Sequence, residues 1–211
     1  EYLNDMDFES LHFTNDIGTD IVIGLADGHI WRGGSKTTKN GIKNNSNMPT
    51  EEVFTTPHRS RVNGVVHSTK PLFYIGNKID GITATFHDGV ASIKAEEGEA
   101  ILQQLISEDE NACRLGEVAI VPHSSPISAS GIVFQETLYD ENASCHIAFG
   151  TSYSQCISHM EGETPEDLLN RGANKSIIHT DWMIGNGKTN ITGIKKDGTR
   201  ILIIKDGELV K

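Results

Sequence analysis

Apolar positions along the 211-residue chain come in short runs, each closed by Gly, Pro, Asn or Asp. Runs of that length, rich in β-branched and aromatic residues, predict strands and tight turns rather than long helices. Residues 20–25 read as a buried strand, with residues 29–32 as its hairpin partner across Asp27-Gly28. Further strands are expected at 64–67, 72–75, 82–86 and 90–94. The last two are joined by Asp88-Gly89, a dipeptide suited to a two-residue hairpin turn. From 94 to 108 the period changes. Ala100, Ile101, Leu102, Leu105 and Ile106 recur at helical spacing and predict one amphipathic helix. A strand at 115–121 is stopped by Pro122. The polar stretches 33–47 and 124–130 read as loops, 131–138 fits either strand or helix, and 139–142 reads as a polar turn. Thr164-Pro165 is a helix start, with Thr as the cap and Pro in the first turn, and 200–210 a closing hairpin. Strands dominate and the helices are not interleaved with them. The expected class is α+β, with mainly antiparallel strands in a sheet or barrel-like core and two or three helices.

Some of these runs carry side chains that do not belong in a core. Residues 146–153 read His-Ile-Ala-Phe-Gly-Thr-Ser-Tyr, and 178–182 read Ile-His-Thr-Asp-Trp. On a strand, His179 and Asp181 point to one face. A buried carboxylate costs several kcal/mol unless it is paired or metal-bound. For Asp181 that leaves a hydrogen bond to backbone or to His179, or a metal. Glu117 stands alone inside Leu-Gly-Glu-Val-Ala-Ile-Val and calls for a cation. Glu51 and Glu141 fall in turns, where solvation is equally open. Imidazole and carboxylate donors without thiolate suit Zn, Co or Mn in a catalytic site, whereas structural zinc prefers cysteine. The group as a whole is too large for one tetrahedral ion and suits two, which would share a water.

Composition narrows the partners. A net charge of -11 argues against nucleic acid and anionic membranes. The three cysteines form no Cys-x-x-Cys pair, which points to a reducing, cytoplasmic setting. No signal peptide or membrane-spanning run is expected. The chain begins on Glu1 and not Met, so it is expected to be the back part of a longer protein whose N-terminal domain is absent.

Taken in order, residues 49–53 (Pro-Thr-Glu-Glu-Val), 115–117 (Leu-Gly-Glu), 140–143 (Asp-Glu-Asn-Ala), 146–150 with Tyr153, and 178–181 (Ile-His-Thr-Asp) resemble the thermophilic-type metalloaminopeptidases. These are the aminopeptidase T, aminopeptidase II, aminopeptidase S and PepS family, and the resemblance runs from about Asp20 to the end. It implies that residues 1–211 are the C-terminal, metal-binding half of such an enzyme. It also implies a two-metal site with Glu51, Glu117, His146, Tyr153, His179 and Asp181 as ligands. Glu141 is implied as a further ligand or the catalytic acid/base. Tyr153 is a second catalytic candidate, as a donor to the oxyanion. The implied cofactors are two divalent ions, Zn or Co, with Mg or Mn also fitting. The implied activity is release of N-terminal residues from peptides with a free N-terminus, by a cytosolic homodimer. Two other readings compete. An esterase or phosphatase would use the same ligands, but a phosphatase calls for basic residues that the ligand segments lack. A non-catalytic β-rich dimerisation domain would need a closed structural metal site, and the cysteines for one are missing.

Overall fold

The computed structural model describes residues 1–34, 36–45, 48–159 and 161–210. Two antiparallel sheets carry the fold. The larger has eight strands, in the order Val90–Lys94, Thr83–His87, Pro57–His67, Asp20–Leu25, Ser10–Thr14, Asn190–Ile194, Arg200–Lys205 and Glu208–Leu209. The smaller has five, in the order His179–Met183, His146–Gly150, Leu115–Ile120, Val53–Thr55 and Arg32–Gly33. Two short two-stranded ribbons complete the strands. Among the described residues five helices of four to seven residues decorate the sheets, against the two or three expected. The class is α+β as expected, and the sheets stay open instead of closing into a barrel.

Two strands at one end of the large sheet alternate. Along Thr83–His87 and Val90–Lys94 every second residue is buried, the period of a sheet with one wet face. The small sheet is different. Leu115–Ile120 and His146–Gly150 are buried at every position. One of their faces carries Val118, Ile147, Phe149 and Trp182 into the core, all fully buried. Phe149 stacks on Trp182 at 5.5 Å and on Phe86 of the large sheet at 6.1 Å, so this face joins the two sheets. The other face is buried as well, although it carries Glu117 and His146.

Several sequence expectations need correction. Residues 29–32 do not pair with Asp20–Leu25, whose neighbours are Ser10–Thr14 and Pro57–His67. The Asp27-Gly28 turn leads the chain out of the large sheet. His29 then bridges Ile157, and Arg32–Gly33 becomes the edge strand of the small sheet. The helix expected over 94–108 is confined to Glu99–Leu105. The expected loop at 124–130 contains the helix Pro126–Ser130, capped by Ser125, whose side chain accepts from Ser128 N. The expected loop at 33–47 holds a ribbon of Lys36–Thr37 and Lys43–Asn44; Ser35, Ser46 and Asn47 lie outside the described residues. The Asp88-Gly89 hairpin and the Thr164 cap with Pro165 in the first turn are as predicted.

Candidate metal centre

Strand register builds this centre. Glu117 lies opposite Ala148, and Ala148 lies opposite Asp181 on the next strand. Directly opposed residues share a face, so the two carboxylates flank a single methyl group. His146 precedes Ala148 by two residues and His179 precedes Asp181 by two, which puts both imidazoles on the same face. A bulge makes this possible. Leu115 is opposite Phe149 in the core, and without the extra residue Gly116 the alternation would send Glu117 there too. A Cβ at Gly116 would lie 2.2 Å from Thr151 O, so the bulge admits only glycine.

The remaining members come from outside these three strands. Glu141 sits in the 3-10 turn Glu141–Ala143 and is buried; it is not the solvated turn residue that its neighbours Asp140 and Asn142 suggest. Tyr153 follows the His146 strand. Its ring is half-exposed, 4.6 Å from the His179 ring and edge-on to Phe54 at 6.0 Å. Glu51 is a correction. It is exposed and outside the cluster, with its backbone N–H donating to Asn142 Oδ1 at 2.6 Å. Its neighbour Glu52 is buried and stands in the place expected of Glu51. The reason is parity. Phe54 opposes Ala119, which opposes His146, so Phe54 is on the site face, and Glu52, two residues before it, shares that face. Both Val53 and Phe54 are apolar, so the sequence pattern did not show which parity faced the site.

The polar atoms converge closely. Glu52 Oε2 is 3.0 Å from His146 Nε2. Glu117 Oε1 is 3.8 Å from His146 Nε2, and its Oε2 is 3.4 Å from His179 Nε2. Asp181 Oδ2 is 3.5 Å from His179 Nε2. Three groups each offer ligand atoms within 4.8 Å of one another: Glu52, Glu117 and His146; Glu117, His179 and Asp181; and Glu141, His146 and Asp181. Each imidazole is held from behind. His146 Nδ1 lies 3.0 Å from Ser144 O, and His179 Nδ1 lies 2.8 Å from Thr151 O. A carbonyl only accepts, so Nδ1 carries the hydrogen and the neutral ring turns the Nε2 lone pair inward, the arrangement of a metal-ligating histidine.

Without a cation this arrangement is electrostatically unfavourable. Glu52 Oε2, His146 Nε2 and Asp181 Oδ1 are buried with no hydrogen-bond partner; the 3.0 Å approach lacks hydrogen-bond geometry. Burial and the carboxylates of Asp181, Glu52 and Glu117 push the Glu141 carboxyl up to about 9, against the opposing pull of His146. Burial disfavours the His179 imidazolium, but Asp181 and Glu117 override it and raise the group to about 10. His146 is raised in the same way, by Glu117 and Glu52 against its burial. Burial, then Glu117 and Asp181, raises the Tyr153 phenol, which stays protonated. Protons are held where positive charge is in demand, and oxygen and imidazole donors of this kind fit a divalent ion. The face opens into a pocket of about 1020 Å³, lined by Glu52, Glu117, Glu141, His179 and Asp181 at one part and by Trp31, Phe54, Leu138 and Tyr153 elsewhere.

Known proteins share this arrangement's frame. The chain is 47% identical to aminopeptidase T of Thermus aquaticus over 211 residues, 99% of this chain and 51% of that protein. It is 47% identical to aminopeptidase 2 of Geobacillus stearothermophilus, over 98% of this chain and 50% of that one. The structure of wild-type AmpT from Thermus thermophilus superposes with a TM-score of 0.94 at 48% identity, over 100% of this chain and 52% of that one. A 2,5-dihydroxypyridine dioxygenase from Pseudomonas putida shares the fold alone, with a TM-score of 0.63 at 14% identity. This chain therefore spans about half the length of the curated relatives it matches. The model of the thermophilic metalloprotease (M29) family matches residues 1–209, and the chain belongs to that family.

Proposed function

We propose that the chain is the C-terminal, metal-binding half of an aminopeptidase that releases N-terminal residues from peptides with a free N-terminus. The observation that carries this reading is the set of buried, partnerless donor atoms on Glu52, His146 and Asp181, beside an open pocket that Glu52 and Asp181 line. The centre is proposed to hold two divalent ions, Zn or Co, with Mg or Mn as substitutes. Charge supports two. Glu52, Glu117, Glu141 and Asp181 are formally −4 beside two neutral imidazoles, and two dications offset that charge. Glu117 is the proposed bridge. It belongs to two of the three donor groups, and its two oxygens turn to different histidines. Glu52 and His146 would complete one ion's shell, and His179 and Asp181 the other's.

When bound, such ions supply an activated water and a polarised carbonyl. The protein's own groups do the rest. Glu141, buried beside Asp181 and Glu52 and so raised in proton affinity, would take a proton from the attacking water and pass it to the leaving amine. The Tyr153 hydroxyl, kept protonated, is the donor for the oxyanion. The two Nδ1–carbonyl contacts hold the imidazoles fixed throughout. A cytoplasmic homodimer is the proposed setting. The phosphatase alternative wants cations at the ligands, yet the basic residues of the pocket, Arg32 and Lys36, lie on the edge strand and the ribbon.

The test is hydrolysis of leucyl peptides with free and acetylated N-termini, before and after chelation. Turnover that requires the free amine, stops on chelation and returns with Zn or Co is expected. Turnover indifferent to the chelator sinks the proposal. Adjacent substitutions test the ligand set. Glu52→Gln is expected to lower kcat/KM by at least about a hundredfold, whereas Glu51→Gln stays within about twofold of wild type. Equal effects of the two would remove Glu52 from the site.

A further inference from the structure

The pocket holds a second kind of chemistry, away from the metal donors. Arg32 lies opposite Phe54, Phe54 opposite Ala119, and Ala119 opposite His146. Opposed residues share a face, so Arg32 stands in the same row as His146, three strand spacings away, about 14 Å between backbones. Both Arg32 and Lys36 line the pocket and are exposed. Arg32 Nε donates to Gln155 O at 3.0 Å, which aims the guanidinium. Among the described residues neither Arg32 nor Lys36 has an ion-pair partner, in a chain with 29 acidic residues against 18 basic ones. These two share one cavity with the donor cluster.

We propose that Arg32, assisted by Lys36, binds a carboxylate of the substrate, placed two or three residues beyond its N-terminus. This rests on the aminopeptidase reading. A guanidinium fork matches a carboxylate in two parallel hydrogen bonds, and Lys36 adds a point charge. The spacing fits. An extended chain advances about 3.3–3.6 Å per residue, and the row of about 14 Å shortens by the reach of the side chains at both ends. What remains spans about two or three residues with the amine at the metal end. The aromatic pair Phe54 and Tyr153 lies between the two ends, against the first side chain. A pocket of about 1020 Å³ is large enough to take such a peptide whole. The favoured substrates are therefore dipeptides and tripeptides with a free C-terminus. An acidic side chain at the same distance offers the same group.

The experiment compares kcat/KM of the metal-loaded protein for Leu-Gly-Gly, its C-terminal amide, Leu-Gly-Glu amide and leucine p-nitroanilide. The free acid is expected to exceed the amide by about tenfold, through KM, and added salt shrinks the difference. Arg32→Gln is expected to bring the acid-to-amide ratio close to one. Lys36→Gln, on a separate ribbon, moves it the same way by less, which guards against a folding defect at the edge strand. A preference restored in Leu-Gly-Glu amide assigns the site to any carboxylate at that distance, and its absence there assigns it to the C-terminus. Equal rates for acid and amide in the wild type, or a ratio unmoved by both substitutions, overturn the inference. Leucine p-nitroanilide has no carboxylate. Its turnover alongside such a result leaves the aminopeptidase reading standing, and its failure in the wild type brings down that reading instead.

Discussion

Replacing Glu117 with Ala is expected to remove both of the proposed metal ions together and to lower peptide turnover by at least about a thousandfold. The expectation follows from where the side chain stands. Its Oε1 turns to His146 and its Oε2 to His179, so it joins donor sets that otherwise have no member in common with each other. Each of the other donors in those two sets serves one side only, so Glu52→Gln should weaken one ion more than the other. Glu141→Gln makes the contrasting case. It should keep the metal content and lose turnover by about a hundredfold or more, because its proposed role is to carry protons. Metal analysis per chain, measured beside kcat/KM, separates the three. The bridging role falls if Glu117→Ala retains one full equivalent at undiminished affinity. Because Glu117→Ala also takes a charged partner from His146 and His179, far-UV circular dichroism of the chelated variant beside chelated wild type separates loss of the ions from loss of the fold.

How much of this was legible in the sequence depends on what each feature requires. His179 and Asp181 were readable as a pair because two residues on a strand share a face whatever the strand pairs with. Glu117 was readable because a lone carboxylate in an apolar run has few tolerable environments. What the sequence did not expose is the relation between strands. Placing Arg32 in the small sheet instead of in a hairpin with 20–25 depends on long-range pairing, and the hairpin reading of Asp27-Gly28 was locally reasonable. Choosing Glu52 over Glu51 required knowing which face of Val53–Thr55 is inward, and two adjacent apolar residues conceal that. Glu141 looked solvated because its local sequence is polar; only the fold shows Asp140, Glu141 and Asn142 all buried. The bulge at Gly116 was invisible for the same reason. A glycine before a glutamate announces nothing until the neighbouring strand fixes the register.

Chelation is expected to lower the melting temperature by about 10–20 °C at pH 7.5, and by more as the pH rises. The size comes from linkage. Each ion present at about a hundred times its Kd stabilises the fold by about 2.7 kcal/mol, and in a chain of this size each kcal/mol moves Tm by about 2–4 °C. The direction with pH comes from the raised proton affinities of the metal-free centre. Glu141 is raised to about 9 and His179 to about 10, both above their unfolded values of 4.5 and 6.5. Groups raised on folding bind protons more tightly in the native state. Their contribution is complete below the unfolded pKa and is lost as pH climbs through the folded one. The metal-free protein should therefore weaken steadily between about pH 6 and 10. Divalent ions displace those protons and supply the positive charge themselves, so the loaded protein should hold its Tm across the same range. Differential scanning fluorimetry at pH 6, 7.5 and 9, with chelator and with Zn, reads both effects. Parallel pH profiles with and without metal would show that the carboxylates and imidazoles of this face are not where the ions bind.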